Sequence, residues 1–120
     1  MLSDEQFEFA KDCVLLEQWM INHGYKFTYG ETWRPDEMQE IYFKKGLSKV
    51  KTRGAHGNRL ALDLNFWIKN VYLDLGKEDP AYVKLNLQPI GDFWEMLSPQ
   101  NTWGGNWNDF FDPGHFERKR

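Results

Sequence analysis

The sequence has little cysteine, no long hydrophobic run and no excess of positive charge. Cys13 is the single cysteine among 120 residues, so no internal disulfide can form, and we interpret it as a small apolar core residue. The apolar runs stay far below the roughly 18–20 residues that a membrane span needs, which predicts no stable membrane insertion. A net charge of −3 argues against nucleic-acid binding, because such binders usually present a strongly basic face.

Low-complexity tracts and internal repeats are also absent, which argues against disorder and repeat architectures. A hydrophobic content of 41% is enough for one packed core, so we predict a single domain over residues 1–120 and expect a monomer. The first residues, MLSDEQFEF, lack a basic segment followed by an apolar one. We therefore expect no secretory signal and synthesis in the cytoplasm. The basic run at 44–53 is either a solvated surface or a rim that attracts an anionic substrate.

Apolar periodicity predicts a helix over 4–22, and Pro35 and Gly46 mark the start and end of a second helix over about 36–45. The first has a wide apolar stripe, and Ser3 with Gln6 fits an N-terminal capping box. A third helix should start at Asp79-Pro80, with an interruption near Pro89 and Gly91.

Alternating residues predict strands over 25–29 and 59–67, the second with leucines facing the core. Lys69-Asn70 should turn the chain into a hairpin, and a final strand is expected at 115–118. Helices and antiparallel strands are segregated along the chain, which indicates the α+β class.

Asp63 stands in the middle of a predicted strand, on the face opposite three leucines. Aspartate is rare in strands, and a buried carboxylate without a partner is costly, so this face should line a cleft or a site. His56 precedes it by seven residues, and His115 lies in a late turn. Two imidazoles and one carboxylate are a plausible zinc set that leaves a fourth position for water. Spacing alone leaves open a core histidine and a strand-edge aspartate.

The C-terminal stretch WGGNWNDFFDPGHFE surrounds one short turn with aromatic side chains. Asp112 precedes His115 by three residues and could reach a zinc-bound water as general base. Glu117, on the same strand face as His115, is a second candidate for the base. Aromatic packing would exclude water from the site, or would simply form core; the residues concerned are Trp103, Trp107, Phe110, Phe111 and Phe116.

Three blocks of the sequence resemble those of the D-alanyl-D-alanine carboxypeptidase and L-alanyl-D-glutamate endopeptidase family of zinc peptidases. HGNRLALDLNFW resembles its H-x(6)-D zinc motif, and WGGNWNDFFDPGHFE resembles its C-terminal motif W-G-G…D-x-x-H-F. WRPDEMQEIYFKKGLSK resembles a block with an arginine, a glutamine five residues later and a G-x-S. The blocks occur in family order between residues 33 and 117. This resemblance implies a fold shared with Hedgehog amino-terminal domains, with helices packed on a small antiparallel sheet.

The resemblance implies a role for each matched residue. His56, Asp63 and His115 would hold Zn²⁺, and Asp112 would be the catalytic acid and base. Arg34 would bind a substrate carboxylate through its bidentate guanidinium, and Gln39 would lie near the substrate. Two departures concern the substrate loop: Gly54 stands where the family usually has serine or threonine, and Arg59 where a small residue is common.

The implied function is hydrolysis of peptide bonds in peptidoglycan stem peptides, as a D-Ala-D-Ala carboxypeptidase or an L-Ala-D-Glu endopeptidase. The expected setting is phage-type cell lysis, as an endolysin, or wall remodelling. The expected partner is bacterial peptidoglycan, reached after release by a protein such as a holin. The alternative is an inactive, metal-stabilised module that binds the cell wall.

Overall fold

A computed structural model describes residues 1–30 and 58–120 of the chain. Within them lie two α-helices, five strands and one short 3₁₀ helix. Their bounds are α1 Leu2–Asn22, β1 Lys26–Tyr29, β2 Ala61–Ile68, β3 Val71–Leu73, α2 Pro80–Leu97, β4 Asn101–Trp103, a 3₁₀ helix Gly104–Asn106 and β5 His115–Arg118. Helices pack on a small antiparallel sheet, which confirms the predicted α+β class. The helix predicted over 36–45 lies outside the described residues.

Strand β2 is the centre of the sheet. It pairs with β1 along one edge, while β3 and β5 pair with it nearer its two ends, and β4 adds to β5. Leu62, Leu64 and Phe66 point into the core, and of the alternate residues of β2, Asp63, Asn65 and Trp67 are only half-buried. The predicted leucine face is therefore confirmed, and Asp63 stands on the opposite face.

The hairpin between β2 and β3 turns where the sequence predicts it. Lys69 and Asn70 have φ values of 50° and 66°. Two consecutive positive φ angles give a turn whose twist matches that of the flanking antiparallel strands. The turn aligns Trp67 with Tyr72 on the face that also carries Asp63.

Helix α1 buries the predicted stripe but does not use the predicted cap. Phe9, Leu16 and Met20 lie in the core, and Cys13 packs half-buried beside them. The helix starts at Leu2 with Met1 as its N-cap and without a side-chain cap, so the capping-box prediction is wrong. The Gln6 amide instead donates a hydrogen bond of 2.9 Å to the carbonyl oxygen of Asn58, a tertiary contact that local spacing does not encode.

Helix α2 begins at the predicted Asp79-Pro80 boundary but runs without interruption to Leu97. Pro89 removes the N–H that would bond to the carbonyl of Leu85, four residues earlier. Leu85 is 77% exposed, so water can satisfy that carbonyl and the helix tolerates the proline. Within the described part of the chain, neither helix is long and apolar enough to cross a membrane.

Candidate active site

Asp63 and His115 face each other across the β2–β5 ladder. They are register partners. Ladder hydrogen bonds of 2.9 Å run from the Leu64 N–H to the Gly114 carbonyl and from the Arg118 N–H to the Leu60 carbonyl. Asp63 and His115 therefore form the more closely spaced, non-hydrogen-bonded kind of pair. Nδ1 of His115 lies 3.0 Å from Oδ1 of Asp63. Residues 52 positions apart thus meet through strand register alone.

Asp112 joins this pair through a tight turn. The His115 N–H donates a hydrogen bond of 3.1 Å to the Asp112 carbonyl, which closes a four-residue turn around Pro113 and Gly114. Gly114 is required for space, because a Cβ there would lie 2.8 Å from the Leu64 carbonyl oxygen. The turn brings one donor atom each of Asp63, Asp112 and His115 within 4.8 Å of one another.

Trp103 and the two glycines after it contact the turn at Asp112–His115 and hold it in place. The Trp103 indole is fully buried, and its Nε1–H donates a hydrogen bond of 2.8 Å to the Pro113 carbonyl. Gly104 accepts a hydrogen bond of 3.0 Å from the Asp112 N–H. A Cβ on Gly104 would lie 2.0 Å from the Asp112 carbonyl oxygen, and one on Gly105 would lie 2.2 Å from the Trp103 ring. The W-G-G sequence therefore places the backbone of Asp112.

Glu95 of α2 fixes the same loop from the helix side. Its carboxylate accepts hydrogen bonds from the Trp103 backbone N–H at 2.9 Å and from the Asn106 side chain at 3.0 Å. Glu95 was not predicted from the sequence, because no local pattern links a helix carboxylate to a loop that follows it. Its role as an anchor is visible only in the folded chain.

The aromatic residues of the C-terminal stretch divide between the core and the site. Trp103 and Phe116 are fully buried core residues, whereas Phe110 is 37% exposed. Trp107 is the one of the group whose ring is paired with His115, at 5.2 Å between centroids, and its Nε1–H donates a hydrogen bond of 2.9 Å to the Thr102 hydroxyl. Both alternatives that the sequence left open therefore occur: Trp103 and Phe116 form core, and Trp107 lies beside the His115 ring.

Opposing effects set the pKa of His115. Burial of the imidazole lowers it, but hydrogen bonds with the Asp63 and Glu117 carboxylates, together with their charges, raise the pKa from 6.5 to about 9. Without a metal the ring is therefore an imidazolium held between two carboxylates at neutral pH.

The raised pKa predicts a pH-dependent stability of the metal-free protein. The contribution of His115 to the free energy of unfolding is fully present below pH 6.5 and is lost as pH rises through about 9. In chelator, we expect the free energy of unfolding to fall by roughly 2–3 kcal/mol between those limits, measured by urea denaturation. His115→Gln should abolish this decrease, and His23→Gln, at an exposed histidine, should retain it. The same slope in wild type and His115→Gln would contradict the assignment.

The donor set fits a divalent transition metal. Two ligand atoms about 2.0–2.1 Å from a tetrahedral ion lie roughly 3.3 Å apart, close to the 3.0 Å between Nδ1 of His115 and Oδ1 of Asp63. One imidazole and carboxylate oxygens are ligand types that zinc accepts. His115 is buried, and Asp63 and Asp112 are half-buried, so a bound ion would be partly shielded from water.

The structure brings together those predicted site residues that it describes. Asp63, Asp112 and His115 form one cluster, and their individual roles stay predictions. His56, predicted as a ligand, and Arg34 and Gln39, predicted as substrate-binding residues, lie outside the described residues. An acidic and imidazole cluster on a sheet face, beside an indole ring, is a candidate metal site.

Comparison with known proteins identifies the family. Residues 48–118, more than half of the chain, match the sequence profile of the D-alanyl-D-alanine carboxypeptidase family. The chain belongs to this peptidase family, and the resemblance noted from its motifs is confirmed.

Among solved structures, the chain is similar in fold to the L-Ala D-Glu endopeptidase ChiX of Serratia marcescens. The TM-score is 0.58 at 20% sequence identity, over 79% of this chain and 68% of that chain. No curated protein sequence matches the chain.

Proposed function

We propose that this protein is a zinc-dependent peptidase that hydrolyses peptide bonds in the stem peptides of bacterial peptidoglycan. The observation that carries the proposal is the convergence of Asp63, Asp112 and His115 in a chain of this peptidase family. The name of the structurally similar endopeptidase is compatible with it. We further propose that the protein acts on the cell wall during phage-type lysis or wall remodelling, after release by a partner such as a holin.

Asp63 and His115 would hold the ion, with His56 as third ligand. When bound, zinc supplies Lewis acidity that polarises a peptide carbonyl and acidifies water. The Asp112 carboxylate takes the proton from the attacking water and delivers it to the leaving amine as the C–N bond breaks. Hydrogen bonds with Gly104 and His115 fix the backbone of Asp112, from which the carboxylate reaches the cluster. Arg34 would pair with a substrate carboxylate.

Analysis of the products tests the reaction and identifies the bond. Purified peptidoglycan incubated with the protein should release fragments detectable by mass spectrometry, and a chelator should abolish their release. Free D-alanine indicates carboxypeptidase activity, whereas scission after L-alanine indicates endopeptidase activity. Metal content, measured by inductively coupled plasma analysis of protein purified without chelator, should be about one ion per chain.

Two variants test the metal site, and the wild-type protein itself separates a peptidase from a binding module. Asp63→Asn should lose both metal and activity, while Asp109→Asn, at an exposed carboxylate of the C-terminal loop, should keep both. Wild-type protein that carries stoichiometric zinc and binds peptidoglycan but cleaves no muropeptide would contradict the proposal and favour the binding module.

A further inference from the structure

The His115 ring lies between two carboxylates, and only one of them belongs to the metal-binding cluster. Nδ1 faces Asp63 at 3.0 Å, and Nε2 faces Oε1 of Glu117 at 2.6 Å. Among the described residues, the group able to hold an ion contains Asp63, Asp112 and His115 but not Glu117. The two nitrogens are on different sides of the ring, so a ring that binds metal through Nδ1 leaves Nε2–H for Glu117.

The strand geometry makes Glu117 a fixed partner for that N–H. Residues two apart on a strand share a face, so β5 itself presents the carboxylate to the ring. Its backbone pairs with Ala61 on one side and Thr102 on the other, and its carbonyl accepts a hydrogen bond of 3.2 Å from the Trp94 indole. The side chain is only 22% exposed. The carboxylate is therefore held by central strands and not by a mobile loop.

We propose that Glu117 is the positioning residue of the metal site: it accepts the Nε2–H of His115, fixes the ring tautomer and so presents Nδ1 to the metal. This inference rests on the metal site of the proposed function and deepens it. A carboxylate behind a ligating imidazole orients the ring and raises its basicity toward the metal. Glu117 then acts through His115, whereas Asp112 transfers the proton during hydrolysis.

Zinc affinity measures this role directly. In the full-length protein stripped of metal, Glu117→Ala should weaken zinc binding by about 10–100-fold, measured by competition with a chromophoric chelator. Glu117→Gln keeps an oxygen that accepts the N–H and should restore affinity to within about threefold of wild type. Asp109→Ala removes an equal charge at an exposed position and should bind zinc as wild type does. Unchanged affinity in Glu117→Ala, or equal losses in both Glu117 variants, would overturn the proposal.

The tautomer gives a second test that needs no variant. In the zinc-loaded wild-type protein, long-range ¹H–¹⁵N correlation spectra should show the His115 proton on Nε2 and the metal on Nδ1. A proton on Nδ1 with metal on Nε2 would overturn the proposal, whatever the stability of the variants.

Turnover separates positioning from proton transfer. With zinc bound at saturation, Glu117→Gln should keep kcat within a few-fold of wild type, because Asp112 is intact. A loss of kcat above about 100-fold in Glu117→Gln with zinc bound would assign the proton transfer to Glu117 and overturn its positioning role. Wild-type protein that binds no zinc would refute the metal site itself. If the wild-type protein binds zinc and hydrolyses its substrate, but the Glu117 variants bind zinc as wild type does, only this inference is refuted.

Discussion

Replacing Asp112 by asparagine is expected to lower kcat by about 100- to 10,000-fold, the usual contribution of a positioned acid or base. Asparagine has nearly the same shape but cannot take up a proton. The backbone bonds that hold position 112, to Gly104 and His115, do not involve the side chain and should persist. KM should change much less than kcat, since the proton is transferred only in the chemical step. Steady-state hydrolysis of a muropeptide measures both constants.

Metal content distinguishes the two roles that the cluster allows for Asp112. As the acid and base, the Asp112→Asn variant retains one zinc per chain while activity falls. If Asp112 is a ligand, the variant loses zinc along with activity, since its carboxylate lies in the group that could hold the ion. The exposed Asp109→Asn variant is the matched control. Full activity in Asp112→Asn would refute both roles.

Substituting alanine for Gly104 should damage the fold and the site together. The new Cβ would lie 2.0 Å from the carbonyl oxygen and 2.9 Å from the carbonyl carbon of Asp112. These are backbone atoms, so no flexible side chain can move away to relieve the clash. We expect the free energy of unfolding to fall by roughly 2–3 kcal/mol, as for other overpacked sites. Zinc affinity should fall as well, because the turn between Asp112 and His115 must shift.

A second glycine provides the control for this substitution. A Cβ on Gly76 would meet its nearest neighbour, an oxygen of Asp74, at 3.6 Å, which is an ordinary contact. Gly76→Ala should therefore leave the urea midpoint and zinc affinity close to wild type. If Gly104→Ala unfolds at the wild-type urea concentration, the close approach of the two loop segments is wrong.

Local signals in the sequence predict the elements whose determinants are adjacent. The apolar stripe of α1, the Asp79-Pro80 start of α2 and the Lys69-Asn70 turn are all encoded within a few residues. The face of β2 that carries Asp63 follows from alternation alone. Asp63, Asp112 and His115 were singled out by residue type and by resemblance, and the fold brings them together.

The remaining features depend on contacts between distant segments. Gly91 is read as a helix breaker from sequence, but a Cβ there would lie 2.1 Å from the Trp103 ring, so its small size makes room for that indole. Asp12 appears polar and exposed by type, yet it is buried and accepts a hydrogen bond of 3.0 Å from Asn101, 89 residues away. No local pattern encodes such pairs, which is why the sequence did not predict them.

Because Asp63 and His115 meet as a single rung of the β2–β5 ladder, the length of these strands is not free to vary. One residue inserted between His115 and Phe116 within β5 would turn the imidazole toward the core. Two would restore its face but place it opposite a different residue of β2. Among the described residues, changes in length should be tolerated in exposed connections such as the segment 76–79. That segment is the natural place for an inserted tag or domain that leaves the chemistry intact.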